Sequence, residues 1–308
     1  MDTRRLAVLL ELSRLGSMRE VAEELGTTTS TVSQQVATLA KEVGTPLVEP
    51  DGRRVRLTPA GRRLADHAVT ILAAVEAARV DLDPDADPAG TVRVAGFASA
   101  VRASLVPVLH ELGGTHPAVR LLVREHEPDE AYALLAGDDV DLALTYDYEL
   151  APAAFDSTVE VAPLWSAPWG LGVPAADGAG TRGTGSATDV FARFADRDWI
   201  VNSRNTADAD VVRTVASLAG FEATIAHRVD SLELVQDLVV AGLGVGLLPA
   251  DQPTRPGVAL VPLRDPEVRL RAYAVVRRGR AAWPPLALVL DRLRSGASAL
   301  SPAATLDG

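Results

Sequence analysis

The sequence has 308 residues, of which 47% are hydrophobic and 23% charged, a balance typical of globular rather than disordered chains of about two domains. It contains no cysteine, which excludes disulfides, thiolate nucleophiles and cysteine-ligated metal sites. No apolar run reaches the roughly 18 residues of a membrane helix, and the N-terminus lacks the apolar core of a secretory signal. We therefore expect a cytoplasmic protein with no membrane partner.

The net charge of −11 is unevenly distributed along the chain. Residues 1–82 carry equal numbers of basic and acidic side chains, so the excess of acid belongs to the remainder. Within the first part, residues 53–63 contain only basic charges, namely Arg53, Arg54, Arg56, Arg62 and Arg63. Such a basic stripe on a small neutral domain is sufficient to bind nucleic-acid phosphates. The alternative is an ordinary charged surface exposed to solvent, which has the same sequence pattern.

Three helices are predicted at residues 3–15, 18–25 and 29–43, because apolar residues repeat at helical spacing and a glycine follows each segment. The second and third, joined by a tight turn, form a helix-turn-helix, with a plain helical hairpin as the alternative. The outward face at the start of the third helix carries short polar groups suited to base edges and phosphates. The predicted DNA-binding residues there are Thr28, Thr29, Ser30, Thr31, Ser33 and Gln34.

Two short β-prone pieces surround the turn signal Asp51-Gly52 and predict a β-wing, with Arg53 and Arg54 as further DNA-binding residues at its tip. Thr58 and Pro59 then start a helix that extends to about residue 82. Its apolar residues follow a heptad pattern, which predicts a seam that pairs with a second copy of the chain. The predicted dimerisation residues are Leu64, Ala68, Ile71, Val75, Ala78 and Leu82, and packing within the same chain is the alternative.

A family resemblance rests on Gly16-Ser17-Met18, Val21-Ala22, Leu25, Val32-Ser33, Leu39, Gly44, Leu47, Arg54-Val55 and Leu57-Thr58-Pro59-Ala60-Gly61. This run, with the long helix after it, resembles the winged helix-turn-helix and linker helix of LysR-type transcriptional regulators. The resemblance implies a bacterial protein that binds double-stranded promoter DNA as a homodimer or tetramer.

Beyond an acidic, proline-rich hinge at 83–90, strands and helices alternate, which predicts α/β layers with mostly parallel strands. Strands are expected at 91–97, 119–125, 140–146, 199–203, 222–229 and 245–248. Helices are expected at 99–112, 129–136, 208–219 and 231–241. The glycine-rich stretch 177–188 is expected to be a surface loop.

Four segments of this C-terminal part are similar to the periplasmic-binding-protein-like effector domain of LysR-type regulators. They are 92–94, 137–144, 219–221 and 240–249. The resemblance implies two lobes, one of about 91–163 and 267–301 and the other of 164–266. The chain then divides into a DNA-binding domain at 1–58, a linker helix at 58–82, a hinge at 83–90, an effector-binding domain at 91–301 and a tail at 302–308.

A small-molecule effector is expected beyond the carboxyl ends of the strands, beside helix N-termini. Hydroxyls, helix N–H groups and Arg204 there suit an anion, Asp147 and Glu233 suit an ammonium, and Trp165 and Trp169 suit an apolar or aromatic ligand. An anionic or amino-acid-like effector is therefore expected. Local caps and turn bonds are the alternative use of these polar side chains. The predicted effector-binding residues are Phe97, Ser99, Ala100, Thr145, Tyr146, Ser203, Asn205, Thr206, Glu233 and Gly246.

Enzymatic interpretations find little support in the sequence. The glycine-rich segment 242–246 follows a helix and enters a strand, the reverse of a dinucleotide-binding loop, and the five histidines lack metal-ligand spacing. We therefore expect no catalysis, no cofactor and no metal. The sequence predicts a ligand-responsive, DNA-binding regulator, and the alternatives are a small-molecule-binding protein without DNA binding or an α/β enzyme.

Overall fold

The computed structural model of the chain describes residues 1–51, 54–83, 87–178 and 185–300. The predicted hinge residues 84–86, the wing residue Arg53 and the tail at 302–308 lie outside the described residues. Arg54 is described by its backbone alone, and no helix of the described chain is long and apolar enough to cross a membrane.

The N-terminal domain is a three-helix unit whose helices begin and end at capping residues. Its helices are α1 (Thr3–Leu15), α2 (Met18–Glu24) and α3 (Thr29–Val43). The Asp2 carboxylate accepts a hydrogen bond from the Arg4 N–H at 2.8 Å, and Gly16 ends α1 in the left-handed conformation. Buried side chains from α1 and α3 form the core, among them Leu6, Leu9, Val32, Val36 and Leu39.

The wing is the antiparallel pair β1 (Val48–Asp51) and β2 (Arg54–Leu57). Helix α4 (Pro59–Leu82) follows, and the Thr58 hydroxyl caps it by accepting the Gly61 N–H at 3.0 Å. Gly61 is required for close packing, because a side chain at this position would overlap the Leu47 carbonyl oxygen.

The apolar seam of α4 is divided between two environments. Ala68 is fully buried in the core of its own N-terminal domain, and Leu64 and Ile71 pack against that core. Farther along, Ala78 is exposed and Leu82 is 82% exposed. The first half of the predicted seam therefore packs within the chain, where α4 lies on α1, and only the second half is open.

The C-terminal domain is built from nine strands among the described residues, with helices between them. The strands are β3 (Gly90–Gly96), β4 (Val119–Glu125), β5 (Leu142–Tyr148), β6 (Val159–Pro174), β7 (Asp198–Val201), β8 (Thr224–Arg228), β9 (Val245–Pro249), β10 (Val258–Pro262) and β11 (Arg269–Arg277). The helices are α5 (Ala98–Ala100), α6 (Val106–Thr115), α7 (Pro128–Ala136), α8 (Ala175–Gly178), α9 (Ala187–Arg193), α10 (Ala207–Leu218), α11 (Leu232–Val240) and α12 (Pro284–Leu300).

The sheet is mixed rather than mostly parallel. Its order is β4-β3-β5-β11-β6-β9-β7-β8, with β10 also paired to β6. The outer strands pair in parallel, but β11 pairs antiparallel with both β5 and β6, and β6 pairs antiparallel with β9 and β10. The 16-residue β6 changes partners from β11 to β9 at Pro168 and Trp169, so one strand belongs to both lobes.

Three further expectations differ from the structure. The helix expected at 99–112 is α5 and α6 joined by a π-helical turn, Val101–Leu105. The strand expected at 140–146 lies two residues farther along, as β5. The stretch 177–188, expected to be a loop, contains the end of α8 and the start of α9, and its residues 179–184 lie outside the described part of the chain.

A buried carboxylate fixes the base of the first lobe. Asp141, 2% exposed, accepts two hydrogen bonds from the Arg93 guanidinium at 3.0 Å and one from Arg280 at 2.9 Å. Burial alone would raise the pKa of Asp141, but the bonds and charges of the two arginines outweigh it and hold the pKa below its usual value.

We expect Asp141→Asn to cost about 3 kcal/mol of unfolding free energy at pH 7, since breaking one side of a buried pair leaves charge uncompensated. Because the folded-state pKa of Asp141 is lowered, its contribution is present above the unfolded pKa of about 3.9 and is lost as pH falls through the folded value. The difference from wild type, measured by urea denaturation, should therefore narrow at acid pH. Asp291→Asn, which alters an exposed pair with Arg292, is the control. An equal loss in both variants would contradict this role.

Candidate functional site

Helix α3 presents a polar face to solvent and an apolar face to the core. Val32 and Val36 are buried, whereas four predicted DNA-binding residues are exposed, namely Thr29, Ser30, Ser33 and Gln34. The structure therefore brings these four side chains together on one accessible surface at the start of the helix, an arrangement suited to a major groove.

Thr28 and Thr31 hold the start of this helix. The Thr28 hydroxyl oxygen accepts the Thr31 N–H at 3.2 Å and lies 2.8 Å from the Thr31 hydroxyl and 2.9 Å from that of Ser30. These bonds cap α3 and leave less hydrogen-bonding capacity for DNA at Thr28 and Thr31 than at Ser33 and Gln34.

Two arginines of the basic stripe already contact residues of the wing. Arg56 forms an ion pair with Glu49 at 3.0 Å, and the Arg62 guanidinium donates to the Leu57 carbonyl at 2.8 Å. Arg63 is exposed on α4. The contribution of Arg53 and Arg54 to DNA binding stays a prediction.

A cleft of about 1100 Å³ lies between the two lobes of the C-terminal domain. This volume accommodates a small organic molecule. Phe97, Ser99, Tyr146 and Glu233 line it, as the sequence analysis expects of effector-binding residues.

The other six predicted effector residues do not line the cleft. Thr145 and Tyr146 are neighbours on β5 and project to opposite faces, so Thr145 points away, buried and without a hydrogen-bond partner for its hydroxyl. Gly246 faces the backbone of Ile200 and the side chain of Val235. Ala100, Ser203, Asn205 and Thr206 also lie outside the lining.

The sequence analysis missed Glu127 and Asp208, two acidic residues of the cleft lining. Glu127 is 6% exposed, and its carboxylate accepts hydrogen bonds from the Tyr146 hydroxyl at 3.2 Å and the Asn205 amide at 2.7 Å. Burial raises the pKa of Glu127, and burial raises the pKa of Asp208 to about 6. Glu127 follows the end of β4 closely, so the strand-end rule pointed to this region.

Two adjacent residues after β7 connect the lobes, and we call their contacts the interlobe clasp. Asn205 donates to Glu127 and, at 2.8 Å, to the Tyr146 oxygen in the other lobe. Arg204 pairs with Asp230 of its own lobe at 2.7 Å and reaches Glu130 of the other lobe at 3.4 Å. The interlobe clasp adjoins the cleft, since Glu127 both accepts the hydrogen bond from Asn205 and lines the cleft.

Strand β11 connects the cleft with the linker helix. Arg269 and Leu270 at its start line the cleft. Arg277 at its end pairs with Asp66 of α4 at 2.6 Å and with Asp138 at 3.3 Å. One strand of the effector domain therefore lines the cleft at its start and contacts the linker helix at its end.

A winged helix-turn-helix joined by a helix to a two-lobed ligand-binding domain defines a class of DNA-binding regulators that respond to small molecules. Residues 3–62 match the family model described as bacterial regulatory helix-turn-helix protein, lysR family, and residues 85–298 match the LysR substrate binding domain. The chain belongs to the LysR family and is a LysR-type DNA-binding transcriptional regulator.

Similar proteins align over nearly the whole chain. The transcriptional dual regulator GltC of Bacillus subtilis is 25% identical over 293 residues, covering 92% of this chain and 93% of GltC. A full-length OxyR variant from Pseudomonas aeruginosa has a TM-score of 0.70 at 20% identity, covering 96% of this chain and 95% of that one. Full-length CbnR complexed with its target DNA has a TM-score of 0.54 at 19% identity, covering 96% and 100%.

We expect Ser33→Ala with Gln34→Ala to reduce discrimination between specific and random duplexes at least tenfold, because each lost base contact is worth roughly 1–3 kcal/mol. Affinity for random DNA should change little, since phosphate contacts remain. Fluorescence anisotropy with both duplexes measures the two affinities. The control is Thr38→Ala, whose hydroxyl bonds to the Gln34 carbonyl within the helix. Equal losses on both duplexes would remove these side chains from base recognition.

Proposed function

We propose that the chain binds promoter DNA through the exposed face of α3 and the wing, and that an effector in the interlobe cleft controls this binding. The DNA-contacting residues are Thr29, Ser30, Ser33 and Gln34, with Arg53 and Arg54 on the phosphates. The observation that carries the proposal is the shared wall of the cleft, to which both lobes contribute side chains. DNA binding places this activity in the cytoplasm.

The interlobe clasp is the proposed means by which occupancy becomes a change in shape. Glu127 lines the cleft and accepts a hydrogen bond from Asn205 of the opposite lobe, so a ligand that contacts Glu127 acts on the bond between the lobes. A ligand shifts such an equilibrium only by its difference in affinity for the two arrangements. Through β11 and its pair Arg277–Asp66, the new arrangement reaches α4.

No catalytic role is proposed for the cleft. Among the described residues, no group of three His, Asp or Glu side chains could hold a metal ion. The 308 residues also lack cysteine, so chemistry at a thiol does not transfer to this chain from any relative. The two carboxyls Glu127 and Asp208 fit ligand binding.

We expect Arg204→Met to change affinity for specific DNA more than threefold, although Arg204 lies in the effector domain. The substitution keeps the aliphatic part of the side chain but removes the ion pairs with Glu130 and Asp230. Arg213→Met, which alters an exposed pair with Asp210 inside one lobe, is the matched control. Fluorescence anisotropy measures DNA affinity, and small-angle scattering measures how far apart the two lobes lie. Unchanged DNA binding together with a more open cleft would show that lobe geometry is not transmitted.

We also propose that the open half of the α4 seam pairs with a second copy of the chain. Val75 is half-buried, Ala78 exposed and Leu82 mostly exposed, so these residues offer the apolar surface that a partner helix would cover.

Val75→Asp should weaken the dimer at least tenfold, because a carboxylate there would face the partner's apolar side chains. Light scattering over a micromolar dilution series measures the dissociation. Leu218→Asp places the same charge on an exposed leucine of α10 and is the control. A Val75→Asp protein that stays dimeric would locate the interface elsewhere.

A further inference from the structure

The interlobe cleft is strongly acidic. Its lining contains six carboxyl groups and two guanidinium groups, namely Glu125, Glu127, Asp208, Asp230, Glu233 and Asp251 against Arg102 and Arg269. A cavity lined by one sign of charge attracts ligands of the opposite sign. The wall therefore favours a cation before any individual contact is considered.

Several rim charges are already compensated by neighbours. Arg204 forms an ion pair with Asp230 at 2.7 Å, and Arg102 is close enough to Glu233 to lower the pKa of that carboxyl together with bonds at the helix start. Arg269 donates to the Ser166 hydroxyl at 3.1 Å and pairs with Glu267. The two guanidiniums of the lining are thus already near acidic side chains.

Glu127 and Asp208 differ from the rim acids. Neither has an Arg or Lys nitrogen within 4.0 Å anywhere in the described part of the chain. The Asp208 oxygen Oδ1 is buried and has no partner within hydrogen-bond distance, although the Tyr148 hydroxyl and the Asn202 backbone lie close enough to lower the pKa of this carboxyl in part. A buried oxygen without a partner is costly, and a donor supplied by a ligand would remove this cost.

Aromatic rings stand beside the two carboxyls. Phe97, Tyr146, Trp165 and Trp169 all line the cleft, and the rings of Phe97 and Tyr146 meet edge to face with centroids 4.7 Å apart. Aromatic faces attract organic cations, and more strongly where water is excluded. They also provide apolar surface for the body of a ligand.

We propose that the effector is an organic cation, a protonated amine on an apolar body, with its ammonium at Glu127 and Asp208 and its body against Phe97, Trp165 and Trp169. This inference rests on the proposed function of the cleft as the effector site. It also assigns the two missed carboxyls a role, since three N–H donors of an ammonium satisfy oxygens that the protein leaves open.

An anionic effector fits this wall poorly. The hydroxyl of Ser203 donates to Asp230 at 2.6 Å, and the Thr145 hydroxyl points away from the cleft. A carboxylate placed near Glu127 and Asp208 would meet like charge, which disfavours binding at close range. Of the effector chemistries that the sequence left open, the cleft lining suits an ammonium on an apolar body better than an anion.

Proton linkage follows from the same pair. Below about pH 6 Asp208 is largely protonated, so a cation binds a neutral group; above it, the cation binds a carboxylate. Affinity for a permanently charged amine should therefore increase from pH 5 to pH 7.5, with proton release on binding at the acid end. The titratable groups that face Asp208 are Tyr146, Tyr148, Glu127 and Asp230; the two tyrosine hydroxyls stay protonated over this range, because burial raises their pKa well above its usual value.

The test is calorimetry on the full chain at pH 7.5 with a matched set of probes: phenethylamine and tryptamine as cations, phenethyl alcohol as the neutral analogue and 3-phenylpropionate as the anion. Quenching of Trp165 and Trp169 fluorescence gives a second measurement. We expect the amines to bind at least tenfold more tightly than 3-phenylpropionate. Repeating the phenethylamine titration at pH 5 should give a weaker affinity, because its ammonium stays charged throughout this range as that of lysine does.

Two isosteric variants test the assignment of the carboxyls. Glu127→Gln and Asp208→Asn should each weaken phenethylamine at least tenfold, and Asp208→Asn should also flatten the pH dependence. Asp210→Asn, an exposed carboxyl two residues along the same helix, should bind as wild type. Thermal unfolding without ligand checks that each variant is folded.

Three results would overturn the proposal: tighter binding of the anion, no binding of either amine, or amine binding that both variants leave unchanged. Anisotropy with specific DNA separates this failure from failure of the proposed function. If 3-phenylpropionate binds in the cleft and alters DNA affinity, the cleft controls DNA binding and only the cationic class is wrong. If amines bind and DNA affinity does not change, the proposed cationic class is correct, but the proposal that the cleft controls DNA binding is wrong.

Discussion

The antiparallel pairing of β11 with β5 and β6 is the constraint on which the rest of the molecule depends. The nine residues of β11 run through the centre of the sheet; residues 270–275 pair with both β5 and β6, and the ends pair with β6 alone. One end carries Arg269 beside the cleft and the other carries Arg277 against the linker helix. Because a strand paired on both edges cannot slip without breaking two ladders, both ends move only with their lobe.

The uneven distribution of charge along the chain explains how a protein with a net negative charge can bind DNA, which is also negatively charged. The net charge of −11 lies beyond residue 82, and the N-terminal domain that meets DNA is neutral with its basic residues grouped. The acidic excess has a use of its own, since part of it lines the cleft. Electrostatic repulsion between the effector domain and DNA is weak at physiological salt, where charges are screened over about 8 Å.

Local signals in the sequence were sufficient for much of the N-terminal domain. Helices α1 and α3 have the predicted bounds because caps, glycines and apolar spacing mark their ends. In the C-terminal domain, strand β4 also has its predicted bounds. Strands β6 and β11 were missed: they pair with each other across about a hundred residues, and the alternation in β11 alone does not show which strand it joins. For the same reason the sheet was expected to be mostly parallel.

The cleft was predictable as a place but not as a set of side chains. Strand ends indicated the region around Phe97, Tyr146 and Ser203, yet which side chains face the cavity depends on strand register and on the approach of the second lobe. Thr145 and Tyr146 illustrate this. They are adjacent on β5, yet the Tyr146 side chain lines the cleft and the Thr145 side chain points into the protein interior. The sequence shows Asp208 only as the first residue of a predicted helix, and the burial of its carboxyl group depends on the opposing strand β5, where Tyr148 lies.

Glu127 connects ligand charge with lobe position. One oxygen of this carboxyl, Oε2, accepts from both Asn205 and Tyr146, and the same side chain lines the cleft. An ammonium bound there would stabilise the charged form of a group whose pKa is raised by burial, and a charged acceptor forms stronger hydrogen bonds than a neutral one. A cation would therefore tighten the bond between Glu127 and Asn205 and hold the lobes together, whereas an anion would favour the protonated acid and weaken it. With the effector bound at Glu127 as proposed, its charge would determine the direction in which the lobes respond.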